Sequence, residues 1–140
     1  MKISLNDILT ALLAAASILA LIISVINSRE IDRQKCYSDV DRLYLRVLEL
    51  RVWHPNLADP ARTVDYQNKF NGDELLRYDA YAFIVWNTCE TIYDTCKNDK
   101  HLWKTWEPVI HSEATLHRSW LKDNQGKFKQ VFLDYVGSSY

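Results

Sequence analysis

The chain opens with a run of apolar residues that no charged residue interrupts. Residues 8–26 are nineteen positions, and eleven of them are Leu, Ile or Val. At about 1.5 Å per helical residue the run is close to 30 Å long, the thickness of a bilayer's hydrocarbon core. Ser4 and Asp7 fit a capping box, which places the start of the helix near Leu5. The pattern predicts a transmembrane anchor over residues 1–27.

A cleaved signal peptide is the alternative interpretation of this run. The three alanines at 14–16 resemble a cleavage signal, but they lie in the middle of the apolar residues. The run is longer than the core of a typical signal peptide, and Asp7 stands where such a peptide carries positive charge. Both features favour an anchor that stays attached to the rest of the chain.

The pattern becomes amphipathic after the span. No glycine or proline occurs before His54, so we expect the span to continue as one helix to about Val52. Beyond the span, apolar residues recur at spacings of three and four, the period of one helix face. They are Val40, Leu43, Tyr44, Val47 and Leu50.

Similar spacings predict further helices, separated by turn residues, over residues 60–69, 74–97, 99–123 and 128–135. Asp59 and Asp73 stand at cap positions. Pro108 predicts either a kink or the start of a new helix. The predicted fold is all-α: an N-terminal transmembrane helix that continues into a small bundle of about four helices. The soluble domain covers residues 28–136, and 137–140 form a flexible tail.

Composition and charge narrow the classes of protein. The chain has only three glycines and three prolines, which disfavours β-sandwiches and barrels because these need frequent turns. Its 17 basic and 18 acidic residues give a net charge of -1, and the basic residues build no continuous stripe. We therefore expect no nucleic acid among its partners.

The cysteines and the charges beside the span indicate the side of the membrane. There are three cysteines, and Cys89 and Cys96 lie too far apart along one predicted helix for a disulfide. Unpaired thiols fit a reducing compartment. Basic residues follow the span closely, at Arg29, Arg33 and Lys35. By the positive-inside rule, the soluble domain is expected in the cytoplasm.

Two pairs of Glu and His raise the question of a metal site. Glu107 with His111, and Glu113 with His117, are four residues apart, so each pair can meet on one helix face. Di-iron bundles use Glu-x-x-His on two helices, and zinc needs three or four convergent ligands. The chain has neither pattern. We interpret the pairs as salt bridges or ordinary hydrogen bonds and expect no metal, no cofactor and no enzymatic activity.

Glu90 lies on the central predicted helix beside Trp86 and Tyr93. A half-buried carboxylate there needs a partner, and Arg118 is the candidate. This predicts a structural ion pair between two helices. The functional alternative is a general base in a pocket, but no nucleophile or second acid stands at a recognisable spacing.

The aromatic residues allow two interpretations. Thirteen residues are Trp or Tyr, and in a small helical domain such side chains usually form the core. The alternative is a ligand pocket inside the bundle. Its lining would be Tyr78, Trp86, Tyr93 and Trp106.

Small residues recur within the span at four-residue spacing, at Ala16, Ala20 and Ser24. Residues so placed let two helices approach closely in lipid. The alternative is that Ala and Ser are simply common in spans. The stripe favours packing of the span against a membrane protein or a second copy of the chain.

Taken together, the chain resembles a large group of uncharacterised short bacterial membrane proteins that have one N-terminal span and a helical tail. The likeness covers nearly the whole chain, through loose and mostly apolar motifs. They are the span leading into residues 28–33, the His54-Pro55 break with Leu57, residues 81–83 with Trp86-Asn87 and 90–93, Trp103 and Trp106 with 118–120, and the Phe128 and Phe132 spacing. The resemblance implies architecture and bacterial origin, and it carries no activity. The expected location is therefore the bacterial inner membrane.

We therefore expect a non-enzymatic, membrane-tethered helical module. It would sit in the lipid bilayer and bind a membrane-associated protein or itself. The alternative is a signal- or ligand-responsive membrane effector whose spans assemble on activation. A hydrolase or metal enzyme hidden in a helical fold is the third hypothesis.

Overall fold

The computed structural model describes residues 5–139, which form helices and connecting turns without a β-strand. The predicted all-α class is confirmed. The predicted capping box at Ser4 lies outside the described residues. The elements are α1 (Leu5–Trp53), a 3-10 turn (Pro55–Ala58), α2 (Pro60–Thr63), α3 (Tyr66–Lys69), α4 (Asp73–Cys96), α5 (Lys100–Asp123), a second 3-10 turn (Gln125–Lys127) and α6 (Gln130–Ser139).

The chain divides into two compact units, and the first ends at Ser38. Helix α1 is long and apolar enough to cross a membrane, and an 18-residue stretch of it has a mean hydropathy of 2.7. Two hydroxyl groups near the N-terminus of α1 find partners inside the helix. Thr10 Oγ1 donates to Asn6 O at 2.8 Å, and Ser17 Oγ donates to Leu13 O at 2.9 Å. The helix itself thus satisfies these two hydroxyls, as a membrane span requires.

The second unit, Asp39–Tyr140, is built around α4 and α5. The apolar stripe predicted on α4 lies in the core, with Val85, Cys89 and Ile92 at most 1 % exposed. From α5, Ile110 and Trp120 reach the same core with 0 % exposure. The packing follows from the three-and-four spacing that predicts both helices.

The C-terminal part of α1 buries a slightly different face from the one predicted. Val40 and Val47 are at most 1 % exposed, as expected for an inner stripe. Leu43, however, is 44 % exposed. Arg51 lies four residues after Val47, and its side chain is only 26 % exposed. The prediction placed Leu43 inward and missed Arg51 because it counted only apolar residues.

Two predicted helix starts have different outcomes. Asp59 caps α2 as predicted, since its side chain accepts a hydrogen bond from Ala61 N at 2.9 Å. Asp73 is not a cap. The cap position of α4 belongs to Gly72, whose φ of 53° is a conformation that glycine adopts readily. Residues 60–69 also form two short helices, α2 and α3, where the sequence predicts one.

The alternative that a new helix starts at Pro108 is wrong, because α5 runs through this residue. The non-helical residue of α5 is His117, with φ -120° and ψ 18°. The irregular turn is stabilised from α4, because Trp86 Nε1 donates to His117 O at 3.1 Å. The kink therefore lies nine residues after the proline, where the indole N–H of Trp86 donates a hydrogen bond to a backbone carbonyl of α5.

Helix α6 is longer than the sequence predicts. Phe132 and Val136 are 0 % and 4 % exposed, so its inner face belongs to the core. Gly137 and Ser138, which the prediction gave to a tail, are exposed residues inside this helix. Tyr140 lies outside the described residues.

Candidate functional site

The four aromatic residues of the predicted pocket are placed as packing residues, each against a different neighbour. Tyr78 stacks on Phe70 with ring centroids 4.4 Å apart, and it is 0 % exposed. Trp86 is also 0 % exposed and lies edge-on to Phe132 at 6.1 Å. The half-buried Tyr93 stacks on Tyr135, with ring centroids 4.9 Å apart. Trp106 is 4 % exposed and lies edge-on to Tyr44. Helices α4 and α5 thus use these rings to fill the core.

Glu90 has a contact that the sequence does not predict. Its Oε1 accepts a hydrogen bond from the backbone N–H of Lys129 at 2.7 Å, just before α6 begins. A carboxylate at a helix N-terminus satisfies a free N–H group and interacts favourably with the helix dipole. Arg118 lies on the exposed side of α5. The Glu90–Arg118 ion pair stays a prediction.

The small residues of the span lie on exposed surface of α1. Ala16, Ala20 and Ser24 follow one another at one-turn intervals in this helix. Among the described residues of their unit, none covers these three side chains. Their role in packing one span against another stays a prediction.

A buried polar cluster lies between α1, α4 and α5. Its centre is Glu113, which is 0 % exposed. Arg51 Nη2 donates to both of its carboxylate oxygens, at 2.7 and 2.6 Å, and Tyr44 Oη donates to Oε1 at 2.9 Å. A buried carboxylate is stable only when it is paired and hydrogen-bonded, and these contacts meet that condition.

Arg51 joins all three helices. Besides its bonds to Glu113 on α5, its Nε donates to Tyr81 Oη on α4 at 3.2 Å. Burial disfavours the charged guanidinium, but the hydrogen bonds to Glu113 and Tyr81 outweigh it and raise the pKa of Arg51 above its usual value. Burial raises the pKa of the Tyr44 hydroxyl, and the negative charge of Glu113 raises it further. Arg51 is therefore charged and Tyr44 protonated at neutral pH.

His117 completes the cluster and has one unsatisfied nitrogen. Its ring is 0 % exposed, and Tyr78 Oη lies 3.1 Å from Nδ1. Nε2 has no hydrogen-bond partner among the described residues and lies 3.9 Å from Glu113 Oε2. Burial, and then the charge of Arg51, lower the pKa of His117 to about 3. The imidazole is therefore neutral at pH 7.

The cluster joins α1, α4 and α5 inside the bundle by hydrogen bonds and an ion pair. Glu113 and His117 are fully buried, so a substrate would have to enter the core to reach them. Within residues 5–139, no group of three or more His, Cys, Asp or Glu side chains is placed to hold a metal. The predicted Glu113–His117 approach is present at 3.9 Å, but Arg51, Tyr44 and Tyr81 were missed. The available signal was Arg51 itself, which continues the spacing of Tyr44 and Val47 along α1.

A second feature lies on the surface, where the end of α1 and the turn after it face α4. It is a concave pocket of about 200 Å³, which we call the α1/α4 groove. Tyr81 lies at its base and is 2 % exposed. The α4 residue Leu76, one turn before Ala80, is 67 % exposed. The groove is lined by Leu50, His54, Leu57, Arg77, Ala80 and Ile84.

The groove is mostly apolar yet open to solvent. Exposed apolar surface that is contiguous and rimmed by polar residues commonly marks a contact site for another protein. The sequence does not predict this groove, since Leu76, Ala80 and Ile84 lie off the dominant apolar stripe of α4. Their own four-residue spacing was the signal.

Comparisons with protein-family models, with curated proteins and with solved structures find no match. The resemblance to short bacterial membrane proteins therefore stays an expectation. Function has to be argued from the span, the groove and the buried cluster of this chain.

Proposed function

We propose that the protein is a membrane-tethered helical module that binds another protein or a second copy of itself and performs no chemistry. The observation that carries the proposal is the combination of an exposed apolar helix with a separate, well-packed helical unit. The first needs lipid to cover it. The second offers an exposed apolar groove.

Attachment of the chain to a membrane favours binding at this groove. Confinement to a membrane raises the effective concentration of one membrane protein near another, so a modest contact becomes sufficient for association. The hydrogen-bonded core holds the groove in a fixed shape, which lowers the conformational entropy lost on binding.

The proposed location is the inner membrane of a bacterium, with the helical unit in the cytoplasm. The basic residues Arg29, Arg33 and Lys35 support this orientation by the positive-inside rule. The resemblance described above supports the bacterial source.

The test has two parts, both on the full chain in its native membrane. After an alkaline carbonate wash, we expect the protein in the pellet, whereas a Leu13→Lys/Leu21→Lys variant should move to the supernatant because two charges make insertion unfavourable. A Leu13→Ile/Leu21→Ile variant is the matched control and should stay in the pellet.

Chemical cross-linking of intact membranes is the second part. We expect a discrete adduct larger than the monomer, which is lost when the membranes are dissolved and diluted before cross-linking. Wild-type protein in the supernatant would refute the tether. A monomer without adducts at native abundance would refute the interaction role.

A further inference from the structure

The α1/α4 groove has a shape suited to one side chain of an approaching helix. Leu76, Ala80 and Ile84 follow one another at one-turn intervals, so they form an exposed ridge along α4. Ala80 has the smallest side chain of that ridge, and Leu50 and Leu57 line the groove from the end of α1 and the turn after it. A volume of about 200 Å³ holds a single apolar side chain. Helix-in-groove recognition uses anchors of this size.

The charge of the groove favours an acidic partner. Its lining contains Arg77 and His54 but, among the described residues, no Asp or Glu. The nearby Glu74 is bonded at both oxygens by Arg62, at 2.7 Å each. The hydrogen bonds from Arg62 lower the pKa of Glu74, and the charge of Arg77 adds to this. The side chain of Arg77 is exposed, however, and has no hydrogen bond, and no ion pair within 4 Å, with a described residue. Its guanidinium is thus available to a carboxylate from outside.

Helix α6 of this same chain carries the matching pattern. Val131 is 60 % exposed, and the exposed Asp134 lies three residues later on the same face. Asp134 Oδ1 accepts a hydrogen bond from the neutral amide of Gln130 at 2.8 Å, and no Lys or Arg among the described residues forms an ion pair with it. Helix α6 therefore offers an apolar anchor and an uncompensated carboxylate.

The two patterns have equal spacing. Arg77 precedes Ala80 by three residues on α4, and Asp134 follows Val131 by three on α6. When two helices pack antiparallel, residues three apart on each stay in register. Val131 can thus enter the groove at Ala80 while Asp134 reaches Arg77.

Resting on the proposed function, we infer that the occupant of the groove is helix α6 of a second copy, with Val131 at Ala80 and Asp134 paired to Arg77. The contact joins two different surfaces. Two copies form a closed dimer if each places its α6 in the groove of the other. Otherwise the contact continues from copy to copy. Membrane confinement supplies the high local concentration that such a small contact requires.

The experiment measures self-association of the full chain in nanodiscs that hold several copies and in detergent at high protein concentration, by light scattering and analytical ultracentrifugation. Wild type should be larger than a monomer. Arg77→Glu and Asp134→Lys should each weaken self-association on the order of tenfold, because each leaves like charges opposed. The double variant Arg77→Glu/Asp134→Lys should restore it. Lys104→Glu, an exposed charge reversal on α5, is the matched control and should change nothing.

Several results would overturn the inference. They are a wild-type monomer at every concentration, an Arg77→Glu variant that associates as well as wild type, and a double variant that fails to recover. The melting temperature of each variant shows that it is folded. If the inference fails while the wild type stays in the membrane and is cross-linked to a different protein, the proposed function stands and only its partner changes.

Discussion

The buried imidazole of His117 makes stability depend on acid in a predictable way. Its pKa is lowered to about 3 in the folded chain, whereas an unfolded histidine titrates near 6.5. Between these two values the unfolded chain binds the extra proton and the folded chain does not. Stability contributed by the neutral ring is therefore complete above about pH 6.5 and is lost progressively as the pH falls towards 3.

The size of the effect follows from the two values. Each unit of pKa difference corresponds to 1.36 kcal/mol. Lowering the pH from 7 to 5 should cost about 2 kcal/mol through this one residue, and the full difference would approach about 5 kcal/mol below pH 3. The proton has to enter a core in which Arg51 already carries positive charge.

The assay is urea unfolding of the full chain in detergent, followed by tryptophan fluorescence, at pH 7 and pH 5. His117→Asn keeps an acceptor near Tyr78 and removes the titration. We expect wild type to lose about 2 kcal/mol more than His117→Asn between the two pH values. His111→Asn, on the partly exposed face of α5, should behave as wild type. Parallel pH profiles for wild type and His117→Asn would refute the reasoning.

Further predictions concern the buried ion pair and the helix ends. Arg51→Met should lower the free energy of unfolding by about 3–5 kcal/mol because it leaves the buried Glu113 without its cationic partner. Arg51→Met/Glu113→Leu should recover most of that loss. A double variant as unstable as the single variant would contradict this. Gly72→Ala should cost about 1 kcal/mol in thermal melts since its φ is 53°, with Gly126→Ala as the control expected to change little. Asp99→Ala should cost about 1 kcal/mol by removing the two N–H bonds that cap α5, and unchanged amide exchange in the first turn would count against it.

Periodicity was sufficient for the long helices. Helix α1 was expected to end near Val52 and ends at Trp53, and α4 was expected over 74–97 and covers Asp73–Cys96. Both contain many repeats of one apolar face, so single irregular residues do not change the pattern. Residues 60–69 are too few for such averaging, and local backbone geometry at Asp65, with φ -131°, splits them into two helices.

The polar cluster could not be found in the same way. Arg51 has the charge of a surface residue, and its inward position becomes sensible only once Glu113 is known to lie opposite, 62 positions later in the chain. A sequence pattern records spacing within one helix and not the pairing of two. Only the α4 side of the groove leaves such a spacing in the sequence, and its pairing with the end of α1 does not.

The bond from Trp86 to the carbonyl of His117 gives the protein a natural reporter of its own opening. An indole proton held inside a core exchanges with solvent only when the helices around it part. The exchange rate of this single hydrogen should therefore record how often α4 and α5 separate in the intact molecule. A partner that clamps the bundle would slow that exchange without touching the tryptophan.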